Sequence, residues 1–440
     1  MSFFLYTLTA HRFNMKNRLS PLIHALTQDT VLSHWFKPMQ SSLERVRYPA
    51  KVFGTVSMPA FLLLGCLRQL QSHCSLREQV QSLMHLDNGS IPPLARSTWS
   101  DALASKKRAH ITRSAFAQLV NHAVDTLPDR FDGMSNLGNR RVIAIDASYQ
   151  TESAHYRAVY PKAGGTDNQK GHMLMTFYDL RKAIPLDVKT ETTSRGEMRV
   201  IKEALDHSHW MAIKQALYSV DRAFIDARYW DERKRLHQAT MVTRFKSSLI
   251  YQTTRSRPIA KGPCNDGVIS DSEITLRSSK QRWRRIEFQT ETGERYAYLS
   301  NDFSLEPGEL AFIYHRRWDE EKFFDNFKND LANAKAWGKN PTAIDQQAVI
   351  GIITYILTRL FLTRQIKTLS LENESMTQTR KLKKKVDRYK KTGGIYLRAY
   401  WTQMSKIPVQ VWRFLKNCFL KQASAQLYER QLKPLLVQYL

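Results

Sequence analysis

Hydrophobic and polar positions change their rhythm near residue 140. Before it, apolar residues recur at helical spacing. "AFLLLGCLRQLQSHCSLREQVQSLMHL" predicts an amphipathic helix broken near "SHCS", where Ser75 and Glu78 stand at capping-box spacing. After the turn signal "NGSIPP", a further helix is expected from Ser97, with Lys106, Lys107 and Arg108 near its end. This pair reads equally as a helix-turn-helix or as a helical bundle with a basic surface.

From residue 140 the runs shorten and become strand-like. "RVIAIDASY" predicts a buried strand running into Asp146. A loop, "YPKAGGTDNQK", follows, and then "GHMLMTFYDL" and "AIPLDVKTET" form a hairpin joined at "RK". "SRGEMRVIKEALDHSHW" is a helix. "ALYSVDRAF" is a second apolar strand running into an aspartate, Asp221, and "DARYWDERKRLHQ" and "ATMVTRF" are a helix and a strand. This order of elements matches a ribonuclease-H-like fold, a mixed sheet flanked by helices. Residues 247–305 interrupt it with a β-rich insertion around "SEITLRS", "RWRRIEFQTET" and "RYAYLSN".

A helix is then expected from Glu306 through Lys335, and "AIDQQAVIGIITYILTRLFLTRQI" predicts a buried one. The pattern divides the chain into a helical N-terminal region expected to bind DNA (1–138), a first part of an α/β core (139–246) and the insertion (247–305). The end of the core (306–365) and a basic linker with a helical C-terminal region (366–440) complete it.

Within "YHRRWDEEKFFDNFK", Tyr314, Arg317, Glu321 and Lys328 sit at offsets 0, 3, 7 and 14. At about 100° per residue they fall within roughly 60° of one another on a helix. The apolar set Ile313, Phe324, Phe327 and Leu331 is centred to one side, so the stripe borders the buried face. Glu320 lies roughly 90° off the stripe, and this geometry favours Glu321 without excluding Glu320.

Charge narrows the partner. The 440 residues carry 67 Lys+Arg against 40 Asp+Glu, a formal net charge of +27. A chain this basic repels itself when folded, so a polyanion is the natural partner and nucleic acid the leading one. "RKLKKKVDRYKKTGG" (380–394) reads equally as a solvated run or as a phosphate contact. The apolar run 348–362 contains Arg359 and reads as a buried helix, so no membrane partner is expected. The N-terminus has no signal-peptide pattern. Cys66, Cys74, Cys264 and Cys418 match no zinc spacing, which fits a reducing cytosol.

A buried carboxylate at a strand end is costly unless it is paired or metal-bound. One aspartate after a strand is usually a turn or cap residue. Two of them, with a glutamate on a later helix, make an oxygen-ligand set for Mg²⁺ or Mn²⁺, and two such ions serve in-line attack on a phosphodiester. Asp226 is expected to cap the helix that follows it. Asp179 and Asp187 are expected in solvent, and His172 reads as a structural strand residue ahead of a DNA contact.

Tyr-x-x-Arg-x-x-x-Glu-x-x-x-x-x-x-Lys, matched by Tyr314, Arg317, Glu321 and Lys328, resembles the signature of the insertion-sequence-four family of DDE transposases. "AIDASY" and "SVDRAFID" resemble the regions of that family's two aspartates, with Ala223 where the family commonly has glycine. The resemblance implies Asp146, Asp221 and Glu321 as catalytic metal ligands. It implies cut-and-paste transposition of an insertion sequence: nicking of the transposon ends, hairpin formation and reopening, then strand transfer into target DNA. It also implies that Tyr314 and Arg317 contact terminal phosphates near a flipped base and that Lys328 contacts the backbone. A flipped base needs an aromatic platform, for which Trp283 and Trp318 are the candidates. Joining two inverted-repeat ends in one event calls for a dimer at the bacterial nucleoid. A relative that binds DNA without catalysis, or another nuclease of the same fold, is the alternative.

Overall fold

The computed structural model describes residues 30–48, 56–70, 95–151, 159–161, 168–191, 196–206, 215–290 and 293–368. The expected helix after Ser75, most of the loop 160–170, the basic run 380–394, Cys74 and Cys418 lie outside the described residues.

Three parallel strands form the centre. β1 (Val142–Thr151) pairs in parallel with β5 (Leu217–Val220), and β5 pairs in parallel with β6 (Thr240–Arg244). Residues 142–145 and all of β5 are buried, as strands covered on both faces require. On the other side of β1 lies the predicted hairpin, β3 (Asn168–Asp179) with β4 (Ile184–Glu191), both antiparallel. The short β2 (Val159–Pro161) also pairs with β3.

The predicted insertion extends this sheet. β7 (Tyr251–Ser256), β8 (Val268–Leu276), β9 (Arg282–Gln289) and β10 (Arg295–Ser300) form an antiparallel meander whose last strand pairs with β6. The sheet therefore runs β4–β3–β1–β5–β6–β10–β9–β8–β7. β7 lies at its outer edge with every residue exposed, and "YQTTRS" has no alternating apolar face to announce it as a strand.

Helices flank the sheet. They are α1 (Thr30–Glu44), α2 (Met58–Leu70), α3 (Arg96–Ala104), α4 (Lys106–Thr126), α5 (Glu197–Asp206), α6 (Ala227–His237), α7 (Pro307–Arg316), α8 (Trp318–Asn329) and α9 (Pro341–Thr368). α9 packs against α1–α4 and β4. It is long and apolar enough to cross a membrane, yet 89% of its apolar window is buried inside the molecule. Its burial matches the sequence reading.

Three sequence expectations are corrected. Lys106–Arg108 do not end a helix; they open α4, where Ser105 accepts a hydrogen bond from the Arg108 amide at 3.3 Å. Arg108 is buried, donates to the Val56 carbonyl at 2.5 Å and lies over the Phe61 ring, so it faces the core. Asp179 and Asp187 are buried, not solvated: Asp179 pairs with Arg141 at 3.1 Å and Asp187 with Arg113 at 3.2 Å. The single helix expected over 306–335 is two helices, broken at Arg317 and ending at Asn329.

Candidate active site

Strand pairing brings the two aspartates together. Ile145 is opposite Val220 in the parallel β1–β5 pair, so Asp146 and Asp221 follow side by side where that parallel pairing ends. β5 stops there, because Asp221 caps a short 3-10 turn by accepting from the Arg222 amide at 2.7 Å. Asp146 continues along β1 and accepts from the Ala147 amide at 2.9 Å.

α7 and α8 supply the other half of the site. A capping box between Glu306 and Glu309, with Pro307 in the first turn, starts α7. Tyr314, near its end, packs on Tyr298 of β10 at 5.3 Å between ring centroids. α8 buries Phe323, Phe324 and Phe327. Phe323 meets Tyr178 of β3 at 5.6 Å and Tyr355 of α9 at 5.0 Å. That aromatic contact seats α8 against the sheet and turns its first turn towards Asp146.

Arg317 stands at the break between the two helices. Its Nη1 donates to Asp146 Oδ2 at 2.8 Å, and its Nη2 donates to Glu321 Oε1 at 2.7 Å. Its guanidinium also lies 5.8 Å from the centre of the Tyr314 ring. Burial opposes its charge, but Asp146, Tyr314, Glu321 and Glu320 outweigh burial and hold it firmly cationic. Asp146 shows the opposite stress. Burial foremost, with Asp221 and Glu321 nearby, pushes its carboxyl up to about 6 against the pull of Arg317 and the Ala147 amide. Three acids thus act on one place, and a cation already stands between two of them.

Among the described residues, no three acid, histidine or cysteine side chains are gathered closely enough to hold a metal ion as they stand. The donor set still fits a hard divalent cation: carboxylate oxygens on neighbouring strands and on the facing helix, two of them, Asp146 and Glu321, bridged by Arg317. Glu321 remains 40% exposed on its side chain and Asp146 22%, so both face the open side of the site.

Glu320 does not share that place. It has no exposed surface and accepts from the Thr176 hydroxyl at 2.5 Å. Of the two glutamates the sequence left open, Glu321 is the one bridged to Asp146. Thr176 has no signal in the sequence. It stands opposite Asp146 in the β1–β3 register, which only strand pairing reveals.

Lys328 lies two turns beyond Glu321 on α8, about 10 Å along the helix at 1.5 Å per residue. It is half-buried, and burial lowers its ammonium pKa. Trp318 is 59% exposed beside Arg317. Trp283 is a correction: it has no exposed surface, and its indole N–H donates to Asp231 Oδ1 and Ser279 Oγ, both at 3.1 Å. No face of its ring is open to a base. Asp226 caps α6 as expected, accepting from the Tyr229 amide at 3.1 Å. His172 is fully buried, with its pKa lowered to about 4 by burial, as a structural residue would be.

A mixed sheet with two acids side by side where a parallel strand pair ends, faced by a helix carrying a third, is a frame for acid-dependent chemistry. The transposase DDE domain family model matches residues 137–357, half of the chain, and the chain belongs to that family. "Putative transposase y4zB" of Sinorhizobium fredii (strain NBRC 101917 / NGR234) is 28% identical over 152 residues. That match covers 33% of this chain and 42% of the relative, so the chain spans about two fifths of the relative's length. Among solved structures, a piggyBac transposase synaptic complex with hairpin DNA aligns over 97% of this chain and 84% of that one. Its identity is 12% and its TM-score 0.39, a likeness that carries no argument.

Proposed function

We propose that this chain is an active insertion-sequence transposase of the Tyr-Arg-Glu-Lys type, built on a ribonuclease-H-like core. It would excise its element by cut and paste and insert it into target DNA at the bacterial nucleoid. The observation that carries the reading is the meeting of Asp146 and Asp221 where the parallel β1–β5 pairing ends, with Glu321 tied to Asp146 through Arg317. The strand order β4–β3–β1–β5–β6, with β1, β5 and β6 parallel, supports the core assignment.

Asp146, Asp221 and Glu321 would hold two Mg²⁺ or Mn²⁺ ions. Bound there, the ions supply Lewis acidity to the attacking and departing oxygens of an in-line displacement at phosphorus. The chain's own groups do the rest. Arg317 and Lys328 place positive charge along one side of α8, where the phosphates of a transposon end would lie. Tyr314 braces Arg317 through its ring and is itself held on Tyr298. Trp318 offers an exposed indole on which an unstacked base can rest.

The substrate steps are nicking of each end by water, attack of the freed 3′-OH on the opposite strand to close a hairpin, reopening of the hairpin, and attack of the 3′ ends on target DNA. Two ends in one event require two copies of the chain. The deciding assay is strand cleavage, with Mg²⁺, of a linear DNA carrying the inverted repeats that flank the gene. Asp146→Ala, Asp221→Ala and Glu321→Ala should each abolish nicking while DNA binding persists. Unchanged nicking by any of the three sinks the mechanism.

A further inference from the structure

Glu320 and Glu321 are neighbours with different surroundings. At about 100° per residue their side chains diverge, and α8 sends one into the site and the other into the interior. The Glu320 carboxyl has no exposed surface. Its Oε1 accepts from the Thr176 hydroxyl, and its Oε2 has no hydrogen-bond partner among the described residues. A carboxyl in such a place costs stability, and an apolar residue of the same size would pack there more cheaply.

Its location supplies a reason for it. Thr176 on β3 stands directly opposite Asp146 on β1, and β5 has ended beside Asp146, so β1 leaves its parallel partner at this point. Glu320 reaches down at that place. Burial foremost, and then the nearby Asp146 carboxylate, oppose a charge on it. The aromatic packing of Phe323 and Phe327 sets how deep α8 lies, but apolar contacts are non-directional and do not fix its position along the strand. A short hydrogen bond between two buried groups does.

We propose that Glu320 is a positioning residue: its hydrogen bond to Thr176 pins α8 to the β1–β3 pair and so holds Glu321 and Arg317 opposite Asp146. The inference rests on the catalytic reading above. The rival role, direct metal ligation by Glu320, is judged by the same experiment.

The test measures Mn²⁺ affinity of the full-length, DNA-free protein by electron paramagnetic resonance, together with single-turnover nicking. The variants are Glu320→Ala, Glu320→Gln, Thr176→Val and the double variant Glu320→Ala/Thr176→Val. Glutamine keeps an acceptor for Thr176, so Glu320→Gln should stay within about threefold of the parent affinity. Glu320→Ala should lose tenfold or more and Thr176→Val severalfold. The double variant should be no worse than Glu320→Ala alone, because the two residues act through one bond. If Glu320→Gln is as weak as Glu320→Ala, the charge itself is required and Glu320 is a ligand. If Glu320→Ala or Thr176→Val binds Mn²⁺ like the parent, there is no pin. Should Glu320→Ala fail to fold, Thr176→Val and Glu320→Gln still decide. Failure of the catalytic reading looks different: the parent protein would not bind Mn²⁺, or would bind it unchanged after Asp146→Ala.

Discussion

Arg317 and Asp146 form an ion pair at 2.8 Å inside the site, with the Arg317 side chain only 10% exposed. The same guanidinium holds Glu321 at 2.7 Å, so one cation ties a strand acid to a helix acid. It therefore competes with any other cation for those oxygens. In the DNA-free protein, Arg317→Ala should raise Mn²⁺ affinity by about tenfold, the equivalent of roughly 1.4 kcal/mol, because two repelling carboxylates lose their internal counterion. If a DNA phosphate draws Arg317 away, DNA and Mn²⁺ help each other bind in the parent protein and this coupling disappears in the variant. Titrations with and without DNA check both points. Equal DNA-free affinities in parent and variant would refute the competition.

The sequence showed the acids and hid much of what arranges them. Asp146 and Asp221 were legible because each ends an apolar run, and parallel pairing of two such runs sets their ends side by side. Glu321 was favoured over Glu320 from angular position alone; its side chain is 40% exposed, whereas Glu320 is buried. The break at Arg317 was not legible. Arg317 keeps helical backbone angles, φ −54° and ψ −28°, and no glycine or proline marks it. Thr176 and Trp283 were illegible for another reason: strand register gives the one its place, and tertiary packing buries the other. The outer strand β7 escaped because an all-exposed edge strand needs no apolar alternation.

The two tryptophans separate stability from recognition. Trp283 is fully enclosed and hydrogen-bonded to Asp231 and Ser279. Trp283→Ala should cost about 3–5 kcal/mol in denaturant unfolding. Trp318→Ala exposes nothing new and should shift stability by less than about 0.5 kcal/mol, while weakening binding of an end carrying an unpaired base by about 1–3 kcal/mol. Equal effects of the two changes on unfolding would contradict this division.

Gly351 lets α9 approach the back of α8. A Cβ built there would lie 2.4 Å from Asn333 Nδ2 and 2.6 Å from Phe327 Cε2. Neither neighbour is free to yield: Phe327 is buried in the aromatic cluster, and Asn333 donates to Gln69 at 2.6 Å. Gly351→Ala should therefore destabilise by about 1–3 kcal/mol, the usual cost of overpacking. Because Phe327 shares α8 with Glu321, Mn²⁺ affinity should fall as well. Thermal melting and the Mn²⁺ titration together test whether packing behind the helix reaches the acids in front.

Asp302 anchors the return from the inserted strands to α7, and its protonation should loosen that anchor at low pH. Arg140 pairs with it at 2.5 Å, the Thr240 hydroxyl donates at 2.7 Å, and the Ser304 amide and hydroxyl donate at 2.9 and 2.8 Å. Burial pushes the carboxyl up, but Arg140 and these donors outweigh it and hold it at about 2. The folded value lies below the unfolded one, near 3.9, so ionised Asp302 favours the fold. Its contribution is complete above about pH 5 and declines as pH falls from the unfolded value through about 2. The separation is about two units, which corresponds to roughly 2.6 kcal/mol at neutral pH. Asp302→Asn should lower unfolding stability by about that amount at pH 7, and the gap to the parent should close as pH approaches 2. Urea unfolding across that range measures the gap. A difference that stays constant with pH would mean that Asp302 acts through packing and not through its charge.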